Sequence, residues 1–241
     1  MATSARATRT LLPYNCEVSP APQAVVHTLS ANVLGRYLVV SPVSDKPAPL
    51  LVGFHGYGEN ATQHLKALQR IPGAERWHLA SVQALHRFYE RRSGEVVGSW
   101  MTSQDREQAI HDNLEYVRNV VTALRATTDA ETPLVYAGFS QGVAMAYRAA
   151  LGCGHRCAGL LILAGDIPPE LRTEPADRFP PILLGRGRSD PWYTANKLEA
   201  DLQCLKSKRI TFETVLFDGA HEWHQVFYEA AGRFLERIGH G

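Results

Sequence analysis

The pentapeptide Gly138-Phe139-Ser140-Gln141-Gly142 is where the types and spacing of residues point to chemistry. The apolar run Leu134 to Ala137 precedes it, and Val143, Ala144, Met145 and Ala146 follow. That order predicts a buried strand, a tight turn and a helix. Glycines two before and two after the serine remove the bulk that would block such a turn. The turn would expose Ser140 Oγ above a sheet, with the helix N–H groups aimed at any negative oxygen formed there. A serine hydroxyl needs a base within hydrogen-bond reach to become a nucleophile. Histidine suits that task near neutral pH, and a carboxylate can orient the ring and stabilise its charged form. The chain supplies Ser140, Asp190 and His221, each expected at the end of a strand.

Two assignments have rivals. Asp190 closes the Gly187-Arg188-Ser189-Asp190 turn before a predicted helix and is the preferred acid. Asp166, after the preceding strand, is the alternative; otherwise it lines the substrate pocket or caps a turn before Pro168 and Pro169. His221 lies in a loop, whereas His224 opens a helix, which favours His221 as the base. His221-Glu222-Trp223-His224 is not the H-E-x-x-H zinc motif, because position 225 is Gln. An oxyanion formed at Ser140 needs two N–H donors. The amides of Gln141 and of Tyr57, in the loop His55-Gly56-Tyr57-Gly58, are the candidates.

The elements that must position these residues follow from the apolar pattern. Val25–Leu29 and Gly35–Val40 read as two short antiparallel strands. Leu50–Phe54, Trp77–Ser81, Leu134–Ala137, Ala158–Ala164, Pro181–Gly185 and Thr211–Phe217 read as strands, most of them continuous apolar runs of the kind buried on both faces. Helices are expected over Thr62–Arg70, from Ser103 or Asp105 to about Ala126, over Gln141–Leu151, Tyr193–Lys206 and Val226–Ile238. Residues 82–102 read as a long irregular loop, the kind that carries function in compact domains. Strands alternating with helices predict a mostly parallel sheet with helices on both faces and sites beyond the strands' carboxyl ends. Residues 1–20 are expected to be a flexible tail, without the apolar segment of a secretory signal, and 21–241 a single domain.

A net charge of +1 gives no reason to expect nucleic acid or an anionic membrane as partner. No apolar run is long enough to span a bilayer. Four cysteines in 241 residues are too few for a disulfide framework, which predicts a reducing, cytoplasmic setting. Cys153 and Cys157 lack the second ligand pair of a zinc site, so no metal is expected.

Together the His55-Gly56-Tyr57-Gly58 loop, the Gly138–Gly142 elbow with Gln141 after the serine, Gly187-Arg188-Ser189-Asp190, Gly219-Ala220-His221 and Ser99-Trp100 resemble the phospholipase/carboxylesterase family of α/β-hydrolases, which includes the acyl-protein thioesterases. The motifs run in family order from Leu50 to Ile238. The resemblance implies an α/β-hydrolase fold without a large lid domain. It also implies a serine hydrolase that cleaves small-molecule carboxylic esters or thioesters through an acyl-enzyme on Ser140, with no cofactor. Three positions depart from the family pattern: Val143 where a third glycine is common, Tyr57 in place of an aliphatic residue, and Asp166 in place of a neutral one. Trp100, Met101, Phe88 and Tyr89 are candidates for an acyl-binding wall, with ordinary packing as the other reading. A peptidase or acyltransferase on the same scaffold, and a non-catalytic binding protein, are the alternatives; monomer and homodimer stay open.

Overall fold

The computed structural model describes residues 24–43, 47–128 and 132–239. The tail expected over residues 1–20 lies outside them. Contacts divide the chain into Met1–Asn32 and Val33–Gly241. In the first unit, residues 24–32 are exposed and form no regular structure, so the strand expected at Val25–Leu29 is absent.

The second unit is built on a seven-stranded sheet. Its strands are β1 (Arg36–Val40), β2 (Leu50–Phe54), β3 (His78–Gln83), β6 (Leu134–Phe139), β7 (Gly159–Leu163), β8 (Ile182–Gly187) and β9 (Phe212–Phe217), in the order β1-β3-β2-β6-β7-β8-β9. All neighbours run parallel except β1, which pairs antiparallel with β3, Arg36 opposite Gln83. The antiparallel partner of β1 is therefore a strand some forty residues onward, not the segment just before it. Helices α1 (Ala61–Gln69), α2 (Arg106–Arg125), α3 (Gln141–Gly152), α4 (Ala195–Ser207) and α5 (Gln225–Gly239) cover the sheet.

The period of two along each central strand divides the interior into two cores. Leu50, Val52, Leu134, Tyr136, Leu160 and Ile162 face Val117 and Val121 of α2 and Met145 and Ala149 of α3. Leu51, Val135, Ala137, Leu161 and Leu183 face Leu68 of α1 and Phe227, Ala231 and Phe234 of α5. The continuous apolar runs are thus explained by burial on both faces.

Residues 82–102 are more ordered than an irregular loop. Strand β3 extends to Gln83, and β4 (His86–Tyr89) pairs with β5 (Val96–Ser99) in an antiparallel hairpin, His86 opposite Ser99. All four residues of β4 are exposed, so no apolar alternation marks it in the sequence. Helix α4 begins two residues later than expected, because Thr194 caps it by accepting the Lys197 N–H.

Candidate active site

Four loops at the carboxyl ends of β2, β6, β8 and β9 meet above the centre of the sheet. The turn after β6 is as sharp as its glycines suggested. Ser140 has φ 54° and ψ −120°, a region a non-glycine residue enters only when its surroundings force it. A Cβ on Gly138 would lie 2.5 Å from the Gly142 carbonyl oxygen, and one on Gly142 would lie 2.0 Å from that of Phe54. Neither position can hold a larger residue while α3 stays where it is.

Ser140 Oγ lies 2.7 Å from His221 Nε2, and His221 Nδ1 lies 2.9 Å from Asp190 Oδ2. A carboxylate only accepts, so Nδ1–H donates to Asp190, which leaves Nε2 free to accept from the serine hydroxyl. The Asp190 side chain is fully buried and His221 only slightly exposed. Asp190 Oδ1 accepts the backbone N–H groups of Trp192 (2.8 Å) and Tyr193 (2.9 Å). The carboxylate therefore enters the site already held by its own loop. Phe139 packs against the His221 ring at 5.1 Å between centroids.

The rival residues lie elsewhere. Asp166 is half exposed and faces Lys197 Nζ at 3.9 Å, outside the Ser140–His221–Asp190 chain of hydrogen bonds. His224 stacks on Phe217 at 4.7 Å and accepts the Val226 N–H, the contact of a residue that caps α5.

Among the described residues, neither the Tyr57 nor the Gln141 N–H donates to a protein acceptor. The Gln141 side chain does different work. Its Oε1 accepts the Trp100 N–H at 2.8 Å and its Nε2 donates to the Met101 carbonyl at 3.2 Å, tying residues 100–101 to the elbow. His55 braces the loop after β2. Its Nε2 accepts the Ala84 N–H at 3.1 Å, so its Nδ1–H donates to the Gly56 carbonyl at 2.7 Å. Burial holds its pKa down to about 4, so it is neutral at pH 7.

The expected acyl wall divides. Trp100 is fully buried; its indole N–H donates to the His55 carbonyl at 2.8 Å and its ring meets Phe54 edge-on. It belongs to the packing beneath the loops. Met101 is partly buried beside Arg148. Tyr57 is 65% exposed and Phe88 37%, and their rings lie 5.6 Å apart; Tyr89, next along the hairpin, is also exposed.

Three further residues shape the site and had no motif to announce them. Glu59 Oε2 accepts the Gly56 N–H at 2.7 Å. Tyr193 donates its hydroxyl to Asp201 Oδ2 at 2.8 Å while its carbonyl accepts from Arg186 Nε at 2.5 Å. Asp201 is wholly buried, pairs with Arg172 and accepts the Ile167 N–H. Burial pushes its pKa up to about 6. Among the described residues no group of three or more His, Cys, Asp or Glu side chains could hold a metal ion, and no helix is long and apolar enough to cross a membrane.

The esterase PE8 superposes on this chain with a TM-score of 0.67 at 22% identity, covering 86% of this chain and all of that one. The Zea mays acyl-protein thioesterase 2 gives 0.64 at 21% identity over 85% of this chain and 99% of its own. The Bacillus cereus carboxylesterase gives 0.65 at 14% identity over 86% and 96%. These likenesses establish a shared α/β fold. No curated protein matches in sequence. The phospholipase/carboxylesterase family profile matches residues 36–238, a span that holds all nine strands of the described residues and every loop of the site, and the chain belongs to that family.

Proposed function

We propose that the protein is a serine esterase that cleaves carboxylic esters or thioesters through an acyl-enzyme on Ser140. The observation that carries this reading is the unbroken hydrogen-bond chain from Ser140 Oγ to His221 Nε2 and from His221 Nδ1 to Asp190. Ser140 Oγ attacks the acyl carbonyl carbon as its proton passes to His221 Nε2. The carbonyl electron pair moves onto oxygen, where the Tyr57 and Gln141 N–H groups receive it. Asp190 balances the imidazolium. As the tetrahedral centre collapses, the bond to the leaving oxygen or sulfur breaks and His221 gives that atom its proton. Water, deprotonated by His221, then attacks the acyl-enzyme and releases the acid and a free Ser140.

The exposed Tyr57 and Phe88 rings at the edge of the site support a small-molecule acyl substrate that meets an aromatic face. A fluorophosphonate probe tests the nucleophile. Wild type is expected to label stoichiometrically and Ser140→Ala not at all; equal labelling of both would sink the assignment. Turnover of p-nitrophenyl esters of graded chain length, beside a palmitoyl-thioester peptide and an amide, assigns the substrate class. Faster turnover of the amide than of the esters would make the protein a peptidase instead.

A further inference from the structure

The turn carrying Tyr57 is held from two directions. The β4–β5 hairpin holds its far end: the Gly58 N–H donates to the Gly98 carbonyl at 3.0 Å, and the Gly98 N–H donates to the Glu59 carbonyl at 2.9 Å. The near end is held by a side chain. Glu59 Oε2 accepts the Gly56 N–H at 2.7 Å, closing the turn over residue 57. A Cβ built on Gly56 would lie 3.1 Å from that carboxylate oxygen and 3.3 Å from Ser140 Cβ. The carboxylate and the nucleophile therefore stand on the same side of residue 56.

We infer that Glu59 is a positioning residue for acyl transfer: its carboxylate grips the Gly56 N–H, fixes the peptides on either side of Tyr57, and so aims the Tyr57 N–H at the oxyanion. The inference rests on the esterase reading. A turn held only by its backbone could rotate the Tyr57 peptide away from the serine. With Gly56 N–H engaged by the side chain, the next N–H along the chain is left for the substrate oxygen. Preorganised donors of this kind are worth more than mobile ones, because the site does not reorganise during reaction.

Glu59 has charged neighbours on several sides. His221 approaches from the loop after β9, and its attraction favours the ionised carboxyl. Tyr228 of α5 faces it, with the Arg70 guanidinium 4.4 Å above the Tyr228 ring. The hairpin meets it through the Gly98 backbone. Burial acts against these attractions and is the largest influence, raising the Glu59 pKa above the usual carboxylate range. The other carboxylate that meets His221 is Asp190.

The test compares Glu59→Ala, Glu59→Gln and Ser140→Ala on one p-nitrophenyl ester, as kcat and KM over pH 5–9, with melting curves for each. Alanine removes both the acceptor and the charge. Its kcat is expected to fall by roughly 10–100-fold, less than or equal to the loss of a whole oxyanion donor, with little change in KM. Glutamine keeps an acceptor for the Gly56 N–H. It should recover most of the kcat lost in alanine. Wild-type kcat in Glu59→Ala would overturn the inference, as would glutamine as slow as alanine. If Glu59→Ala does not fold, Glu59→Asp decides: its shorter side chain falls short of the Gly56 N–H, kcat should drop by about tenfold or more with little change in KM, and wild-type kcat would overturn the inference. Turnover surviving in Ser140→Ala would instead overturn the esterase reading itself.

Discussion

At the scale of single residues, the site turns on which carboxylate serves His221. Asp190 reaches it and Asp166 does not. Asp190→Asn keeps the shape but can no longer fix Nδ1–H or balance an imidazolium, and kcat is expected to fall by about 10⁴-fold. Asp166→Asn loses a solvent-exposed partner of Lys197, an interaction worth about 0–1 kcal/mol. Its effect should stay within about fivefold and appear in KM rather than kcat. Steady-state kinetics on the two variants decides the matter; collapse of kcat in Asp166→Asn alone would reverse the assignment. That Ser140, Asp190 and His221 come together was legible in the sequence because glycine-bearing turns advertise them. Glu59 was not, because nothing in its type or spacing shows that its side chain folds back onto the Gly56 N–H. Gln141 was only half legible. Its proposed backbone role follows from standing next to the serine, whereas its side-chain grip on Trp100 depends on where residues 99–101 pass in space.

At the scale of elements, the link from β8 to α4 is the least legible part and carries much of the precision. Tyr193 both donates its N–H to Asp190 and anchors its hydroxyl on the buried Asp201. Tyr193→Phe would strip that hydroxyl while leaving the backbone N–H. Asp201 would lose one of its donors in a buried place, a change costing about 1–3 kcal/mol. The urea midpoint should fall accordingly, and kcat should fall far less than in Asp190→Asn. An unchanged midpoint would show that the hydroxyl bears no structural load. The parallel strands were readable as apolar runs because both faces are covered. The β4–β5 hairpin was not, since its exposed strand mixes His86, Arg87, Phe88 and Tyr89. The partner of β1 could not be read from its neighbours either, because strand pairing over forty residues leaves no local mark.

At the scale of the whole molecule, two buried histidines set the response to acid. Burial lowers the pKa of His64 to about 3 and that of His55 to about 4. An unfolded chain would take up protons on both as pH falls below about 6.5. The native chain cannot do so until pH 3–4, so stability is fully present above pH 6.5 and is lost as pH falls through that window. Asp201 acts in the opposite sense over a narrower range. Its native pKa near 6 keeps a proton that the unfolded chain releases, which favours the fold as pH falls from 6 toward 4. The histidine pair should prevail. His64 is wholly enclosed, and neither of its ring nitrogens has a hydrogen-bond partner among the described residues. His64→Leu should therefore be near neutral at pH 7.5 and about 2 kcal/mol more stable than wild type at pH 5. Urea unfolding at the two pH values measures this; an equal difference at both would remove His64 from the account.

The strand order also governs biosynthesis. The loop bearing Tyr57 follows β2 and the strained Ser140 follows β6, but Asp190 and His221 follow β8 and β9 at the far side of the sheet. Eighty-one residues separate Ser140 from His221. At about 5–20 residues per second, a ribosome needs about 4–16 s to cover that distance. Throughout that interval the nascent chain carries Ser140 without its hydrogen-bond partner His221. The order of the strands thus works as a timer: on the proposed mechanism, Ser140 meets its base only once every strand of the sheet has been made.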